Sequence, residues 1–128
     1  MKSIQHPVKQ CLFVGPSRRE LKGFPDKVKG SIGHALHTAQ CAGEAESVKA
    51  LKGFGGRNVL EVVEDFDGST YRAVYTVRFA GVVYVLHAFQ KKSKKGVATP
   101  HQTVELIKSR LRDAEEDYRT RQKKEATL

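Results

Sequence analysis

The sequence contains only two cysteines, no tryptophan and no long hydrophobic run. Its apolar stretches are all shorter than the roughly 18 residues that span a bilayer, so we expect no transmembrane helix. The first residues lack the apolar core and the small-residue cleavage site of a signal peptide, and we therefore expect a cytoplasmic protein. Cys11 and Cys41 do not form a CxxC motif, and we expect both to be buried, reduced side chains.

Motifs for metal ions and nucleotides are also missing. The glycine-rich segment KGFGGRN does not match the phosphate-binding pattern GxxxxGK[ST]. The histidines show no metal-ligand spacing, and they are His6, His34, His37, His87 and His101. We therefore predict that the protein uses no metal ion and no small-molecule cofactor.

Acidic residues are scarce relative to basic ones, with 14 Asp and Glu against 23 Lys and Arg, a formal net charge of +9. This excess favours an acidic partner, such as a nucleic acid, an anionic membrane surface or an acidic protein. The helix predicted at residues 26–40 lacks the basic density of a membrane-binding helix. We therefore expect no membrane partner.

Four lysines, Lys91, Lys92, Lys94 and Lys95, directly follow the most apolar stretch of the chain. They repel one another unless an anion lies nearby. One interpretation is a patch that contacts phosphates and releases counterions. The other is a solvated loop whose charge keeps an apolar strand from aggregating. The charge pattern alone leaves both open.

Hydrophobic periodicity predicts a strand at residues 8–14, a short helix from Ser17, and a helix from Asp26 to Gln40. Three β-rich runs follow, NVLEVVED, STYRAVYTVRF and GVVYVLHAF, and the turns between them suit antiparallel hairpins. Thr99 and Pro100 then begin a last helix, with Thr99 as its cap. The apolar residues of the two long helices are Val28, Ile32, Ala35, Leu36 and Ala39, and Val104, Ile107, Leu111, Ala114 and Tyr118.

The order of these elements predicts one α+β domain over residues 1–118. It has an antiparallel β-sheet, two N-terminal helices and a C-terminal helix, with the helices on one face of the sheet. Residues 119–128 lose the apolar stripe and are expected to form a disordered basic tail.

Alternation within STYRAVYTVRF places Arg72 and Arg78 on the face opposite Tyr71 and Tyr75. An arginine-bearing face cannot be fully buried without anionic partners, so we expect Arg72 to be exposed. Alternation in the next strand groups His87 with Val83, Val85 and Phe89. The register between the strands is open, and so is whether His87 and Arg72 share a face. A histidine in this position can also be an ordinary core residue.

Two stretches, LKGFGGRNVLEVVEDFDGSTYRAVYTV and VLHAFQKKSKKGVATPHQTVELIKSRL, resemble the RelE/ParE toxin superfamily, in particular its phage-derived HigB-like branch. The resemblance implies a RelE-like fold and the toxin of a type II toxin–antitoxin pair, with a helix-turn-helix antitoxin as partner. RelE-like and HigB-like members are mRNA interferases, endoribonucleases that cut ribosome-bound mRNA and inhibit translation. ParE-like members act on DNA gyrase.

Matching positions imply that Arg72, Lys91 and Lys92 surround the scissile phosphate. His87 is our candidate proton carrier, because an imidazole ordinarily titrates close to neutral pH. Further RNA-binding residues would be Arg57, Arg78, Lys94 and Lys95. The segment VLEVVED is acidic where RelE-like toxins carry catalytic lysines. An alternative therefore stays open: a non-catalytic protein of the same fold, either a ParE-like gyrase inhibitor or an inactive phage-derived protein.

Overall fold

The computed structural model describes residues 8–56, 58–91 and 99–126 of the chain. The elements along the chain are β1 (Gln10–Phe13), α1 (Ser17–Lys22), α2 (Asp26–Gln40), β2 (Val48–Ala50), β3 (Val59–Phe66), β4 (Ser69–Thr76), β5 (Val82–Lys91) and α3 (His101–Ala126). The predicted α+β class, with two N-terminal helices and a C-terminal helix, is confirmed.

The strands form one sheet in the order β1-β5-β4-β3-β2. The pairs β2–β3, β3–β4 and β4–β5 are antiparallel, as predicted for the three β-rich runs. β1 instead pairs parallel with β5, in a register that matches Gln10 with Val82 and Phe13 with Val85. The sheet is therefore mixed. A parallel neighbour requires a long connection, and the whole stretch from α1 to β4 provides it.

One face of the sheet packs against α1 and α2, and we call it the α2 face. All five apolar residues predicted for α2 are buried there, against Tyr71, Ala73 and Tyr75 of β4 among others. Burial of a large aliphatic side chain such as Ile32 contributes roughly 1.5–3 kcal/mol to stability. The apolar periodicity of α2 therefore predicted its packing correctly.

The opposite face packs against α3, and we call it the α3 face. Ile107 and Ala114 are fully buried on it, in contact with a cluster that includes Val74, Tyr84 and Leu86. The prediction that all helices lie on one face is therefore wrong. Because β4 and β5 present apolar residues on both faces, each face needs its own cover.

A β-bulge in β5 changes which side chains share a face. Val74 pairs with His87, whereas the next residue, Tyr75, pairs with Val85, so Leu86 is the extra residue. Beyond the bulge the alternation is reversed, since one extra residue exchanges the two faces. His87 and Phe89 therefore lie on the α3 face with Arg72 and Val74, and the predicted grouping of His87 with Val83 and Val85 is wrong.

The last helix, α3, extends for 26 residues to Ala126, although a disordered tail was expected after Tyr118. Ion pairs one turn apart, Glu115 with Arg119 and Asp117 with Arg121, join this segment to the preceding turns. Tyr118 also donates a hydrogen bond to the backbone oxygen of Ala80. No helix in the described ranges has an apolar stretch that could cross a bilayer.

The two cysteines are unpaired in the structure, as expected for reduced thiols. Cys11 is partly buried in β1, and Cys41 is exposed at the end of α2. The expectation that both are buried is therefore wrong for Cys41, because the apolar face of α2 ends at Ala39.

Candidate functional site

The imidazole ring of His87 lies between an acidic and a basic side chain from two different helices. Its Nδ1 atom is 3.0 Å from Glu20 Oε1 of α1 and 2.9 Å from Arg110 Nη1 of α3. The ring stacks on Phe89, with 4.9 Å between centroids. His87 is 9 % exposed, and no residue in the described part of the chain hydrogen-bonds its Nε2 atom. We call Glu20, His87 and Arg110 the His87 cluster.

The position of Glu20 follows from the way α1 continues the edge of the sheet. β1 stops pairing with β5 at Phe13 and Val85, and α1 then runs beside the remainder of that edge. Ser17 Oγ donates to the backbone oxygen of Val85 at 3.0 Å. Glu20 Oε1 accepts from the backbone N–H of Ala88 at 3.3 Å. α1 thus bonds the edge of β5 at Val85, where the pairing with β1 ends, and at Ala88 beyond it, and this fixes the carboxylate beside His87.

Arg110 connects α3 to both the bulge and α1. Its Nη1 atom donates to the backbone oxygen of Leu86 and to Glu20 Oε1, both at 3.0 Å. Its Nη2 atom lies 3.5 Å from Glu20 Oε2. A guanidinium can hold several acceptors in fixed directions, so Arg110 sets the distance between α1, β5 and α3 at this point.

The charges in the His87 cluster follow from burial and from these contacts. Burial lowers the pKa of His87 below its usual value, the negative charge of Glu20 opposes this, and Arg110 adds to the lowering. Burial acts to raise the pKa of Glu20, but the hydrogen bond from Arg110 and, when the ring is protonated, the charge of His87 outweigh it, and the pKa ends lower than usual. At neutral pH the ring is therefore neutral and the carboxylate charged, which suits the ring to accept a proton.

Arg72 lies on the same face as His87, a relationship that the sequence alone leaves open, but it is not exposed. Its Nη1 atom is 3.2 Å from Glu61 Oε1 and 3.4 Å from Thr99 Oγ1, and Thr99 in turn donates to Glu61 Oε2 at 3.0 Å. Arg72 is 2 % exposed and Glu61 1 %. The expectation of an exposed Arg72 is therefore wrong, because Glu61 supplies the anionic partner that burial requires. The Thr99 hydroxyl, predicted as a helix cap, contacts this pair.

The predicted lysines and arginines lie only partly within the described residues. Lys91 ends β5 opposite Thr70, on the α3 face with Phe89 and Arg72. Lys92, Lys94, Lys95 and Arg57 lie outside the described residues. Arg78 lies beyond the end of β4, where its backbone N–H donates to Thr76 Oγ1. The strand from Thr70 to Thr76 separates Arg78 from Lys91 by roughly 20 Å, so these two residues do not belong to one small site.

Sequence reasoning missed both partners of His87. Arg110 carried a signal, because it lies three residues after Ile107 and four before Ala114, on the apolar stripe of the last helix. An arginine in such a stripe requires an acceptor below it. Glu20 carried no comparable signal, since its position depends on a contact across 67 residues.

Metal ligation has no evident candidate in this region. Over residues 8–56, 58–91 and 99–126, no three His, Cys, Asp or Glu side chains are grouped so that they could hold a metal ion.

Comparison with known protein families gives a match over most of the chain. The model of the family described as phage derived protein Gp49-like (DUF891) matches residues 19–112. This interval begins one residue before Glu20 and ends two residues after Arg110, so it contains the whole His87 cluster and the Arg72–Glu61 pair. Searches of curated proteins and of solved structures give no match.

Proposed function

The chain belongs to the phage-derived Gp49-like family, which is associated with toxin–antitoxin systems, and from this premise we propose that it is an mRNA endonuclease toxin. Its substrate in this proposal is mRNA bound to the ribosome. The observation that carries the proposal is the His87 cluster: a neutral, nearly buried imidazole held by a carboxylate, with Nε2 free of described partners, in a chain of net charge +9.

The chemistry proposed for this cluster is cleavage of RNA by its own 2′-hydroxyl. The 2′-oxygen attacks the adjacent phosphorus, the bond from phosphorus to the 5′-oxygen breaks, and a 2′,3′-cyclic phosphate and a 5′-hydroxyl result. A base must take the 2′ proton, and an acid must give one to the departing 5′-oxygen. His87 is the proposed base, since the neutral ring can accept a proton near neutral pH. The proton for the departing 5′-oxygen comes from water, and His87 afterwards returns the 2′ proton to solvent. The other atoms of the reaction come from the RNA.

Positive charge must compensate the extra negative charge that develops on the phosphate in the transition state. Lys91 and Lys92 are the proposed groups for this task, because Lys91 follows Phe89 and His87 on one face of β5. Lys94, Lys95 and Arg57 are proposed to contact neighbouring phosphates, and Arg78 a more distant part of the RNA or the ribosome.

Arg72 takes a different role in this proposal from the direct phosphate contact that the family resemblance implied. Its guanidinium is occupied by Glu61 and Thr99, and Thr99 lies two residues before the first residue of α3. We therefore assign Arg72 to positioning: it fixes the start of α3 next to the lysine-rich segment. A helix-turn-helix antitoxin that covers this basic region is the proposed partner.

The experiment is primer extension on a reporter mRNA in a translating extract to which the purified protein is added. We expect new 5′ ends in wild type and a loss of about 100-fold or more in cleavage rate for His87→Gln. His101→Gln is the matched control, since His101 is an exposed histidine on α3, and it should cut like wild type. Intact mRNA together with blocked gyrase would support the ParE-like alternative and overturn the proposal.

A second arm tests the partner. Co-expression with the neighbouring reading frame should restore growth, and purification of one chain should recover the other. If no neighbouring product binds the protein or restores growth, the assignment to a toxin–antitoxin pair is wrong.

A further inference from the structure

Arg110 has more acceptors around one nitrogen than that nitrogen has hydrogens. Its Nη1 atom lies 3.0 Å from Glu20 Oε1, 3.0 Å from the oxygen of Leu86 and 2.9 Å from His87 Nδ1. An amino nitrogen of a guanidinium carries two hydrogens, so at most two of these three contacts are full hydrogen bonds. The third group must obtain its proton, or its partner, in another way.

The two neutral tautomers of His87 differ in which of these groups receive a hydrogen bond. With the proton on Nδ1, the ring donates to Glu20 Oε1 at 3.0 Å, and both Nη1 hydrogens go to Glu20 and Leu86. With the proton on Nε2, the bare Nδ1 lone pair faces the carboxylate at the same distance, and one of the three acceptors has no hydrogen from Nη1. The first arrangement brings Nδ1–H close to Nη1, but both groups donate to Glu20, whose negative charge offsets the repulsion between the two donors. Glu20 also accepts from the N–H of Ala88, so the number of hydrogens alone does not decide between the tautomers. The first arrangement is favoured because Nδ1–H gives the carboxylate a charge-assisted hydrogen bond, whereas the second sets a lone pair 3.0 Å from a carboxylate oxygen.

Other groups around the ring do not favour the second arrangement. The residue opposite His87 on β4 is Val74, which is apolar. The nearest other charge on that strand is Arg72, and it is paired with Glu61. Phe89 stacks on the ring and fixes its plane. Glu20 from α1 and Arg110 from α3 are thus the charged groups in direct contact with His87.

We propose that Glu20 is a positioning residue that holds the proton of neutral His87 on Nδ1, so that Nε2 presents its lone pair to the RNA as the base. Arg110 keeps Glu20 in place and ties this arrangement to the docking of α3. A carboxylate that selects the tautomer of a histidine is a general way to orient an imidazole base. The inference rests on the proposed function and adds to it the atom that takes the proton and the residues that determine it.

The first test reads the tautomer directly. Nitrogen NMR of the full chain labelled at histidine should show, above pH 7.5, that His87 carries its proton on Nδ1. In Glu20→Gln, where a neutral amide replaces the carboxylate, we expect a mixture of tautomers and a lower pKa for His87, because the charge that raises it is gone. Glu105→Gln is the matched control, since Glu105 is a half-exposed carboxylate on α3 with its own ion pair to Lys108. It should leave the His87 signals unchanged.

The second test is the pH dependence of RNA cleavage. Glu20→Gln should lower kcat by about tenfold or more with a smaller change in KM, and it should move the acid limb of the profile to lower pH. A merely structural role of Glu20 would not move that limb. Glu20→Asp should not restore the rate, because its shorter side chain does not reach Nδ1.

The outcomes separate the inference from the proposed function. A wild-type His87 with its proton on Nε2 overturns the inference, whether or not Glu20→Gln folds. An unchanged pH profile in a folded Glu20→Gln also overturns it. If the tautomer is as expected but the wild-type protein cuts no RNA, the proposed function and the role of Nε2 as a base are both overturned. In that case only the assignment of the proton to Nδ1 still stands.

Discussion

Arg72 and Glu61 form an ion pair between β4 and β3 that is closed off from solvent. The Nη1–Oε1 distance is 3.2 Å, and the two side chains are 3 % and 2 % exposed. Thr99, just before α3, contacts both of them. A buried pair of this kind contributes little in itself, but removal of one partner leaves a buried charge without compensation.

Arg72→Gln should therefore destabilise the protein strongly, by about 3–5 kcal/mol in the free energy of unfolding, because Glu61 remains buried. Urea denaturation monitored by circular dichroism measures this. The double variant Arg72→Met with Glu61→Leu should recover much of the loss, since no charge then remains buried. Arg78→Gln is the matched control and should stay within about 0.5 kcal/mol of wild type. If Arg72→Gln also stays within that range, the pair is not closed off from solvent.

The same pair illustrates how far the sequence could predict this fold. Alternation in STYRAVYTVRF placed Arg72 on the correct face, and the periodicity of α2 identified every buried position of that helix. The burial of Arg72 was not predictable, because it depends on a helix that returns across the α3 face and on an acidic residue in another strand. Local periodicity contains neither piece of information.

The His87 cluster was harder still to predict. A single extra residue, Leu86, reverses the face of His87, and no turn or glycine marks the bulge in VVYVLHAF. Glu20 reaches His87 only because β1 pairs parallel with β5, and that pairing joins segments about 70 residues apart in the chain. The candidate histidine could thus be named from the sequence, whereas its partners needed the tertiary structure.

The lysine-rich segment should account for much of the salt dependence of RNA binding. Each phosphate that a lysine neutralises steepens the fall of log affinity with log salt by about 0.7 for a single strand. Replacement of Lys91, Lys92, Lys94 and Lys95 by glutamine should therefore flatten that slope. Fluorescence anisotropy on a short RNA measures it between roughly 50 and 200 mM salt, where affinities of this kind change steeply. Lys27→Gln with Lys29→Gln is the control, because α2 covers the other face of the sheet. Equal slopes in the quadruple variant and wild type would mean that these lysines do not contact phosphates and serve only to keep the protein soluble.

Acidification should weaken the fold in part through His87. Burial lowers the pKa of His87 in the folded protein below the unfolded value of about 6.5. The unfolded chain then binds more protons, so the contribution of this group is present above pH 6.5 and is lost as the pH falls below it. Glu20 stays charged in this range, since its pKa is also lowered.

We therefore expect the wild-type Tm to fall between pH 7.5 and pH 5.5, and to fall less in His87→Gln, even if that variant is less stable throughout. Differential scanning calorimetry at several pH values measures the two slopes. His101→Gln should keep the wild-type slope, because His101 lies on the exposed side of α3. Parallel slopes for wild type and His87→Gln would contradict a lowered pKa for His87.

Two glycines inside α2 should give more stable variants when replaced by alanine. Gly30 and Gly33 are both exposed, and a Cβ atom at either position would meet no other atom within 4 Å. Alanine in an exposed helix interior is more favourable than glycine by roughly 0.5–1 kcal/mol, since it restricts the unfolded backbone. Gly43 differs, because a Cβ there would lie 3.1 Å from Thr38 Cγ2. Thermal melts should thus show a higher Tm for Gly30→Ala and Gly33→Ala and no gain for Gly43→Ala. A lower Tm for Gly30→Ala or Gly33→Ala would mean that another group occupies the space beside α2. Analytical ultracentrifugation would then test directly whether that group is a second chain packed against this helix.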